Sequence, residues 1–206
     1  MAEIERPQIY LITPSDPELS TFPRQLAAVL DAADIACVRL AMATHDEQRL
    51  AKVADALREV THARDVALVI SEHVMMVERL GLDGVHLNDG ARSVRNVRKQ
   101  LGGEAIIGAF CGASRHDGMN AAEAGADYVA FGPVSATPLG DGTVAPPELF
   151  QWWSEMIEVP CVAEGGLDED RIRSLSSITD FFGFGAEIWG QDDPAAALTR
   201  LLAAID

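Results

Sequence analysis

Eight short apolar runs, separated by amphipathic stretches, constrain the fold of this chain more than any other feature of its sequence. The runs show no clean alternation of apolar and polar residues, which is typical of parallel strands buried on both faces. The stretches between them place apolar residues at helical spacing. This alternation predicts parallel βαβ units. The predicted strands are residues 8–13, 36–42, 66–71, 84–87, 105–110, 128–132, 160–164 and 181–185.

A weak repeat indicates how the units are arranged. LDGVHL, ADYVAF and TDFFGF each place an aspartate just before an apolar run, at Asp83, Asp127 and Asp180, and the spacing fits every second unit of a β/α array. Eight units predict an α/β fold, a (β/α)8 TIM barrel, as a single domain over residues 1–206. We expect the three aspartates at the end opposite the active site. A doubly wound sheet is the alternative, but no Gly-x-Gly-x-x-Gly follows the first run.

The net charge and the hydropathy of the chain limit the classes of molecule that we expect it to bind. The net charge of −16 repels polyanions, so we expect no nucleic acid and no membrane surface as partner, and a small-molecule ligand instead. The first residues lack a signal-peptide pattern and no apolar run approaches the roughly 20 residues of a membrane span, which predicts a cytoplasmic protein. The three cysteines lack the paired spacing of zinc or redox sites. One of the adjacent Trp152 and Trp153 could mark a contact in a homo-oligomer.

The turns after the seventh and eighth predicted strands are candidates for binding a phosphorylated ligand. TIM barrels commonly hold phosphate on these two loops. VPCVAEGG ends in Gly165 and Gly166, and GFGAEIWG contains Gly185 and Ala186. Without Cβ atoms at the glycines, backbone N–H groups can approach an anion, although a tight turn alone would also explain the pair.

The glutamates beside these turns conflict with an anionic ligand. Glu164 ends the seventh run and Glu187 follows the eighth. Two uncompensated anions about 4 Å apart repel each other by about 4 kcal/mol at an effective dielectric of 20. We therefore expect both carboxylates to point away from the phosphate position.

Six segments of the chain form a recognisable set: YLIT (10–13), LDGVHL (82–87), IIGAF (106–110), EAGADYVAFGPV (123–134), CVAEGG (161–166) and DDPAAALTRLL (192–202). Together they resemble the thiamine phosphate synthase and thiazole tautomerase superfamily. The resemblance implies a TIM barrel that holds a thiazole phosphate on the loops after strands seven and eight. In the synthases this phosphate is joined to a pyrimidine diphosphate with loss of pyrophosphate, assisted by Mg²⁺.

Residue by residue, the resemblance is incomplete at the diphosphate site. The family's Gln-x-Arg-x-Lys pattern falls on Arg39, Ala41 and Ala43 here, and its later lysine falls on Gly140. Arg39 and Arg115 are the cations that could substitute, because a guanidinium matches phosphate oxygens.

The remaining family positions are matched unevenly. Thr137 is retained, whereas Ala186 stands where the family has a phosphate-binding serine. The family's metal positions fall at Ser71 and Glu72 and near Ala91, which leaves Glu72 and Asp89 as candidate Mg²⁺ ligands.

Several side chains could carry proton transfer or nucleophilic chemistry. The candidates are His86, Cys111, His116 and Glu164, with Glu187 as a further acid or base. A structural histidine and an inert buried thiol are the alternatives for His86 and Cys111. Three functions stay open: a synthase with a remodelled site, a tautomerase or other proton-transfer barrel acting on a less anionic molecule, and a non-catalytic binding barrel.

Overall fold

A computed structural model describes residues 6–205 of the chain. Eight parallel strands close into a barrel in the order of the sequence, with β8 paired to β1. This confirms the predicted (β/α)8 TIM barrel. The strands are β1 Gln8–Ile12, β2 Cys37–Leu40, β3 Ala67–Ser71, β4 Gly84–Leu87, β5 Ile106–Phe110, β6 Tyr128–Phe131, β7 Cys161–Glu164 and β8 Phe181–Phe184.

A helix follows every strand, and the last strand is followed by two. Within residues 6–205, none of the helices is both long and apolar enough to cross a membrane. The helices are α1 Phe22–Ala32, α2 Glu47–His62, α3 Val74–Leu80, α4 Val94–Leu101, α5 Arg115–Ala124, α6 Pro147–Met156, α7 Glu169–Leu175, α8 Ala186–Trp189 and α9 Pro194–Leu202.

Strand alternation sorts the side chains into two layers. On β2, Val38 and Leu40 point outward into the large core beneath the helices, whereas Arg39 between them points into the barrel. A smaller apolar cluster containing Tyr10, Tyr128 and Val162 fills the interior. The barrel centre therefore combines aromatic packing with buried polar groups.

The repeated aspartates have one structural role. The carboxylates of Asp83, Asp127 and Asp180 accept hydrogen bonds from the backbone N–H groups of Leu68, Ile107 and Cys161, at 2.7, 2.7 and 2.8 Å. Each aspartate precedes an even-numbered strand and satisfies an amide at the start of the preceding odd-numbered strand. They lie at the N-terminal ends of the strands, as the repeat predicts.

Candidate active site

A buried ion pair lies at the C-terminal end of the barrel interior. Arg39 on β2 and Glu164 on β7 have side chains that are 7% and 1% exposed, and Nη2 of Arg39 donates to Oε2 of Glu164 at 2.6 Å. Nε of Arg39 has no hydrogen-bond partner within residues 6–205. The guanidinium is thus held mainly by one carboxylate, and that carboxylate is neutralised by it.

A chain of hydrogen bonds continues from Arg39 across the interior. Nη1 of Arg39 donates to Nε2 of His86 at 2.6 Å, because a guanidinium only donates. Nδ1 of His86 therefore carries the proton and donates to the Tyr128 hydroxyl at 2.9 Å. The Tyr128 and Tyr10 hydroxyls share a further hydrogen bond of 2.6 Å. Arg39 thus fixes the tautomer of the histidine.

The electrostatics of this chain favour a neutral imidazole beside a charged arginine. Burial, and then the positive charge of Arg39, lower the pKa of His86 well below its usual value. Burial is the largest single influence and works to lower the pKa of Arg39, but the charge of Glu164, the nearby Tyr10 and Tyr128 and the hydrogen bond to Glu164 together outweigh it, so the net pKa lies above the usual range. Burial raises the pKa of Tyr128. His86 is fully buried and serves here as an acceptor for Arg39.

A cavity of about 730 Å³ opens above this ion pair. It brings together eight of the predicted site residues: Arg39, Thr137, Glu164, Gly165, Gly166, Gly185, Ala186 and Glu187. His86 lies below it rather than in its wall, since the ring is fully buried. The other lining residues are Ile12, Ser15, Pro138, Leu139 and Gly183.

The pair of glycines after β7 makes room for protein rather than for a ligand. Gly165 and Gly166 both have φ of +83°, in the left-handed region. A Cβ on Gly166 would lie 1.9 Å from Oγ of Ser135, and one on Gly165 would lie 2.7 Å from Cδ2 of Leu139. The loop between β6 and α6 therefore occupies the space that we expected an anion to need. That expectation is wrong for the space beside the two Cβ positions.

The backbone N–H groups do converge as predicted, but on a side chain of this protein. Oε1 of Glu187 accepts from the N–H of Gly166 at 2.8 Å and from that of Leu167 at 3.2 Å. Oε2 accepts from the N–H of Gly185 at 2.8 Å. We call these three N–H groups the amide cradle. The expectation that Glu187 points away from it is wrong, because the carboxylate accepts hydrogen bonds from all three of these N–H groups. Glu164 is bonded to Arg39 instead.

Cys111 and His116 are predicted site residues that lie outside this cavity. Cys111 is 4% exposed, donates to the carbonyl of Ala109, and burial raises the pKa of its thiol to about 12. His116 is exposed on α5, where its ring pairs with the Asn120 side chain at 3.1 Å. No hydrogen bond joins these two residues within residues 6–205. The neutral thiol matches the inert alternative for Cys111.

Arg115 also points elsewhere. Its guanidinium carbon lies 4.1 Å from the ring centre of Trp152 on α6, a cation–π contact. Trp153 next to it is fully buried and donates from Nε1 to the carbonyl of Val159 at 2.7 Å. Trp153 is thus the tryptophan that packs inward, and Arg115 covers the other one instead of lining the cavity.

The candidate metal ligands do not form a metal centre. Across residues 6–205, no group of three or more His, Cys, Asp or Glu side chains is arranged to hold a metal ion. Oδ2 of Asp89 accepts from the Ser93 hydroxyl at 2.5 Å, and its Oδ1 is buried without a partner. Asp89 lines a second cavity, of about 910 Å³, over the loops that follow β4, β5 and β6. Glu72 is not part of that wall.

Sequence reasoning missed Tyr10, Tyr128 and Ser135. A signal existed for the tyrosines, because the chain has just two and both lie in predicted strands. A Cβ on Gly108 would lie 2.0 Å from Cζ of Tyr128, so this glycine on β5 makes space for the ring. Ser135, whose hydroxyl donates to the Gly166 carbonyl at 2.8 Å, carried no pattern that could reveal its contact.

Fold and site together define a class. The chain is a TIM barrel with a small-molecule-sized cavity at the C-terminal ends of its strands, where sites of this fold lie. Three comparisons with known proteins narrow the class to a family.

The family described as thiamine monophosphate synthase matches residues 9–180. The thiamine-phosphate synthase of Erythrobacter litoralis is 41% identical over 95% of both chains. That of Rhodospirillum centenum is 39% identical over 93% of this chain and 94% of its own length. Thiamine phosphate pyrophosphorylase from Pyrococcus furiosus superposes with a TM-score of 0.82 over 96% and 95% of the two chains, at 23% identity, which supports the fold. The chain belongs to the thiamine monophosphate synthase family, a family of thiamine biosynthesis.

Proposed function

We propose that this chain binds a heterocyclic ligand of thiamine biosynthesis in the cavity above Arg39, and that the coupling of thiazole phosphate with pyrimidine diphosphate is absent or strongly slowed. One observation carries the proposal. Among the described residues, Arg39 is the one cationic side chain in the wall of this cavity, and it is already paired with Glu164.

The charges in the cavity wall do not favour the binding of a diphosphate. The cavity wall contains one arginine and two glutamates, Glu164 and Glu187. A diphosphate needs several cationic partners, and each buried charge-assisted hydrogen bond contributes roughly 1.5–3 kcal/mol. The loss of two or three such partners weakens binding by orders of magnitude. Arg115, the other expected substitute, is engaged with Trp152.

The expectation of a Mg²⁺ ion rests on the family alone, because members of this family are generally dependent on Mg²⁺. The described residues do not fit an all-protein Mg²⁺ site, since no suitable group of three ligands is present among them. Asp89 could contribute one oxygen, and Mg²⁺ is often held by one or two carboxylates together with substrate phosphates. The proposed function uses no step through a metal.

A second candidate is proton transfer on a bound heterocycle, as in a tautomerase. The position of Glu164 favours it, because this carboxylate lines the cavity and its charge is held by Arg39. In this function Glu164 takes a proton from a carbon of the ligand and returns it to another atom. His86 would be a positioning residue that orients Arg39.

Two assays on the purified protein separate these functions. Thiamine phosphate formation from the two family substrates with Mg²⁺ is expected to be absent or far below ordinary enzyme rates, about 1–10³ s⁻¹. Formation at such rates would contradict the proposal. Hydrogen–deuterium exchange at the carbon atoms of a thiazole ligand, followed by NMR, tests proton transfer. Exchange that is lost in Glu164→Gln and retained in the surface control Glu158→Gln would favour the second candidate.

A further inference from the structure

The Glu187 carboxylate occupies the amide cradle as a ligand anion would. Its two oxygens accept from the N–H groups of Gly166, Leu167 and Gly185, which come from the turns after two different strands. The side chain is half-buried and forms part of the cavity wall. The cradle is thus satisfied by the protein itself.

A phosphate group entering the cradle would have to displace this carboxylate. All three N–H donors would change partners, and the displaced anion would stay close to the phosphate because Glu187 is two residues from Gly185. Among the described residues, Arg39 is the one cation in the wall of this cavity and is already bonded to Glu164, whereas Arg200 lines with Glu187 a separate cavity. The carboxylate therefore disfavours a phosphorylated ligand at this end of the cavity.

A hydroxyl group meets a different situation. The two oxygens of a carboxylate offer about four acceptor positions, of which the cradle uses three. The remaining position lies on Oε2, which accepts one hydrogen bond where Oε1 accepts two. A neutral O–H donor can bond to it without displacing anything. The neighbouring wall, formed by Ile12, Pro138, Leu139 and Ala186, also suits an uncharged molecule.

We propose that Glu187 determines ligand specificity in this cavity: it excludes a phosphate from the amide cradle and makes a free hydroxyl the group accepted there. The heterocyclic nature of the ligand rests on the proposed function, whereas the exclusion of phosphate rests on the three hydrogen bonds of Glu187. A hydroxyethyl thiazole would then bind better than its phosphate ester.

Calorimetric titration of wild type and two variants tests the proposal. Glu187→Ser frees the three N–H groups, and Glu187→Gln removes the charge while keeping the size of the side chain. Glu158→Gln is the matched control, because it removes one charge from an exposed position before β7. The probes are inorganic phosphate, the hydroxyethyl thiazole and its phosphate ester. Circular dichroism checks that each variant is folded.

Wild type and Glu158→Gln are expected to bind the alcohol and to show no binding of inorganic phosphate. Glu187→Ser should bind phosphate and should gain about tenfold or more in affinity for the ester, with Glu187→Gln between the two. An ester that binds wild type as tightly as the alcohol would overturn the inference and leave the proposed function intact. Phosphate that fails to bind folded Glu187→Ser would also overturn it.

The phosphate titration decides the inference independently of the thiazole. If neither thiazole compound binds any variant while phosphate binds Glu187→Ser and not wild type, the role of Glu187 is supported and the proposed heterocyclic ligand is contradicted. The buffer itself contains no metal ion, sulfate or phosphate, so that no anion other than the titrated one can occupy the cradle.

Discussion

The two ends of the barrel use carboxylates in opposite ways. At the N-terminal end, Asp83, Asp127 and Asp180 repeat one contact, with the start of a neighbouring strand. At the C-terminal end, Glu164 neutralises a buried arginine and Glu187 fills a cradle of backbone N–H groups. The three aspartates each accept a hydrogen bond from a backbone N–H group of a neighbouring strand. The two glutamates have different partners, and both line the cavity, so they affect which ligands can bind there.

This difference follows from geometry. A β/α repeat returns every second unit to an equivalent position, so an aspartate placed just before each even-numbered strand serves all three contacts at the N-terminal end. The loops at the mouth differ from one another, and their contacts join distant positions. At the N-terminal end of the barrel, several equivalent contacts should therefore each contribute a small part of the free energy of unfolding. At the C-terminal end, a few contacts should each contribute a large part.

The largest effect is expected at the buried ion pair. Arg39→Met leaves Glu164 buried without its cation and should lower the free energy of unfolding by about 3–5 kcal/mol. Urea denaturation measures this value. The double variant Arg39→Met/Glu164→Leu should recover most of the loss, because it removes both charges together. A double variant no more stable than Arg39→Met would show that the pair is not the source of the effect.

The second largest effect is expected at the turn after β7. Gly166→Ala places a Cβ against Ser135 at 1.9 Å and also strains a residue with φ of +83°, so we expect a loss of about 2–4 kcal/mol. Gly142→Ala is the matched control, since its φ is +81° and the atom nearest to the added Cβ, the Thr137 carbonyl oxygen, lies at an ordinary contact distance of 3.7 Å. It should cost about 1–2 kcal/mol. Equal losses in denaturant midpoints would mean that the loop contact contributes nothing.

The fold was predictable because its signals are local. The run 84–87 coincides with β4 Gly84–Leu87, and the run 66–71 contains β3 Ala67–Ser71, since apolar runs and helical spacing are properties of neighbouring residues. The cavity was predicted from the rule that sites lie at strand ends.

The contacts inside the site were less predictable. Glu164 lies 125 residues from Arg39, and no local pattern links them. The position of Glu187 is set by three N–H groups, two of which lie about 20 residues away in the turn after β7. A glutamate two residues after a glycine in a turn was itself a signal that the carboxylate could bind that turn.

A third prediction concerns pH and the interior chain of hydrogen bonds. The folded-state pKa of His86 lies well below the usual 6.5, so the unfolded chain binds the proton more readily. This contribution to stability is present above about pH 6.5 and is lost as pH falls towards the folded-state pKa, at up to about 1.4 kcal/mol per pH unit. Denaturation of wild type at several pH values from about 7.5 to about 5.5 measures the slope.

The histidine variants identify the source of that slope. In His86→Gln the slope should decrease by about half a proton on average over these pH values, and by close to one proton near pH 5.5. His116→Gln, which alters an exposed ring on α5, should keep the wild-type slope. The carboxylates contribute equally to the pH dependence of stability in both variants. The difference between the slopes of His86→Gln and His116→Gln therefore reports the contribution of His86. An unchanged slope in His86→Gln would mean that this ring does not contribute to the pH dependence of the free energy of unfolding.

The smallest effect is expected at the N-terminal end. Asp180 is the best position for the test, because Asp127 also pairs with Arg98 and Asp83 with His62, whereas Asp180 has no ion-pair partner within residues 6–205. Asp180→Ala removes the acceptor of the Cys161 N–H and should cost about 1 kcal/mol, and Asp180→Asn, which keeps an oxygen, should cost less. Neither should alter ligand binding at the mouth. A loss as large as that of Arg39→Met, or a change in ligand affinity, would show that the two ends are energetically coupled and that the contrast between them is wrong.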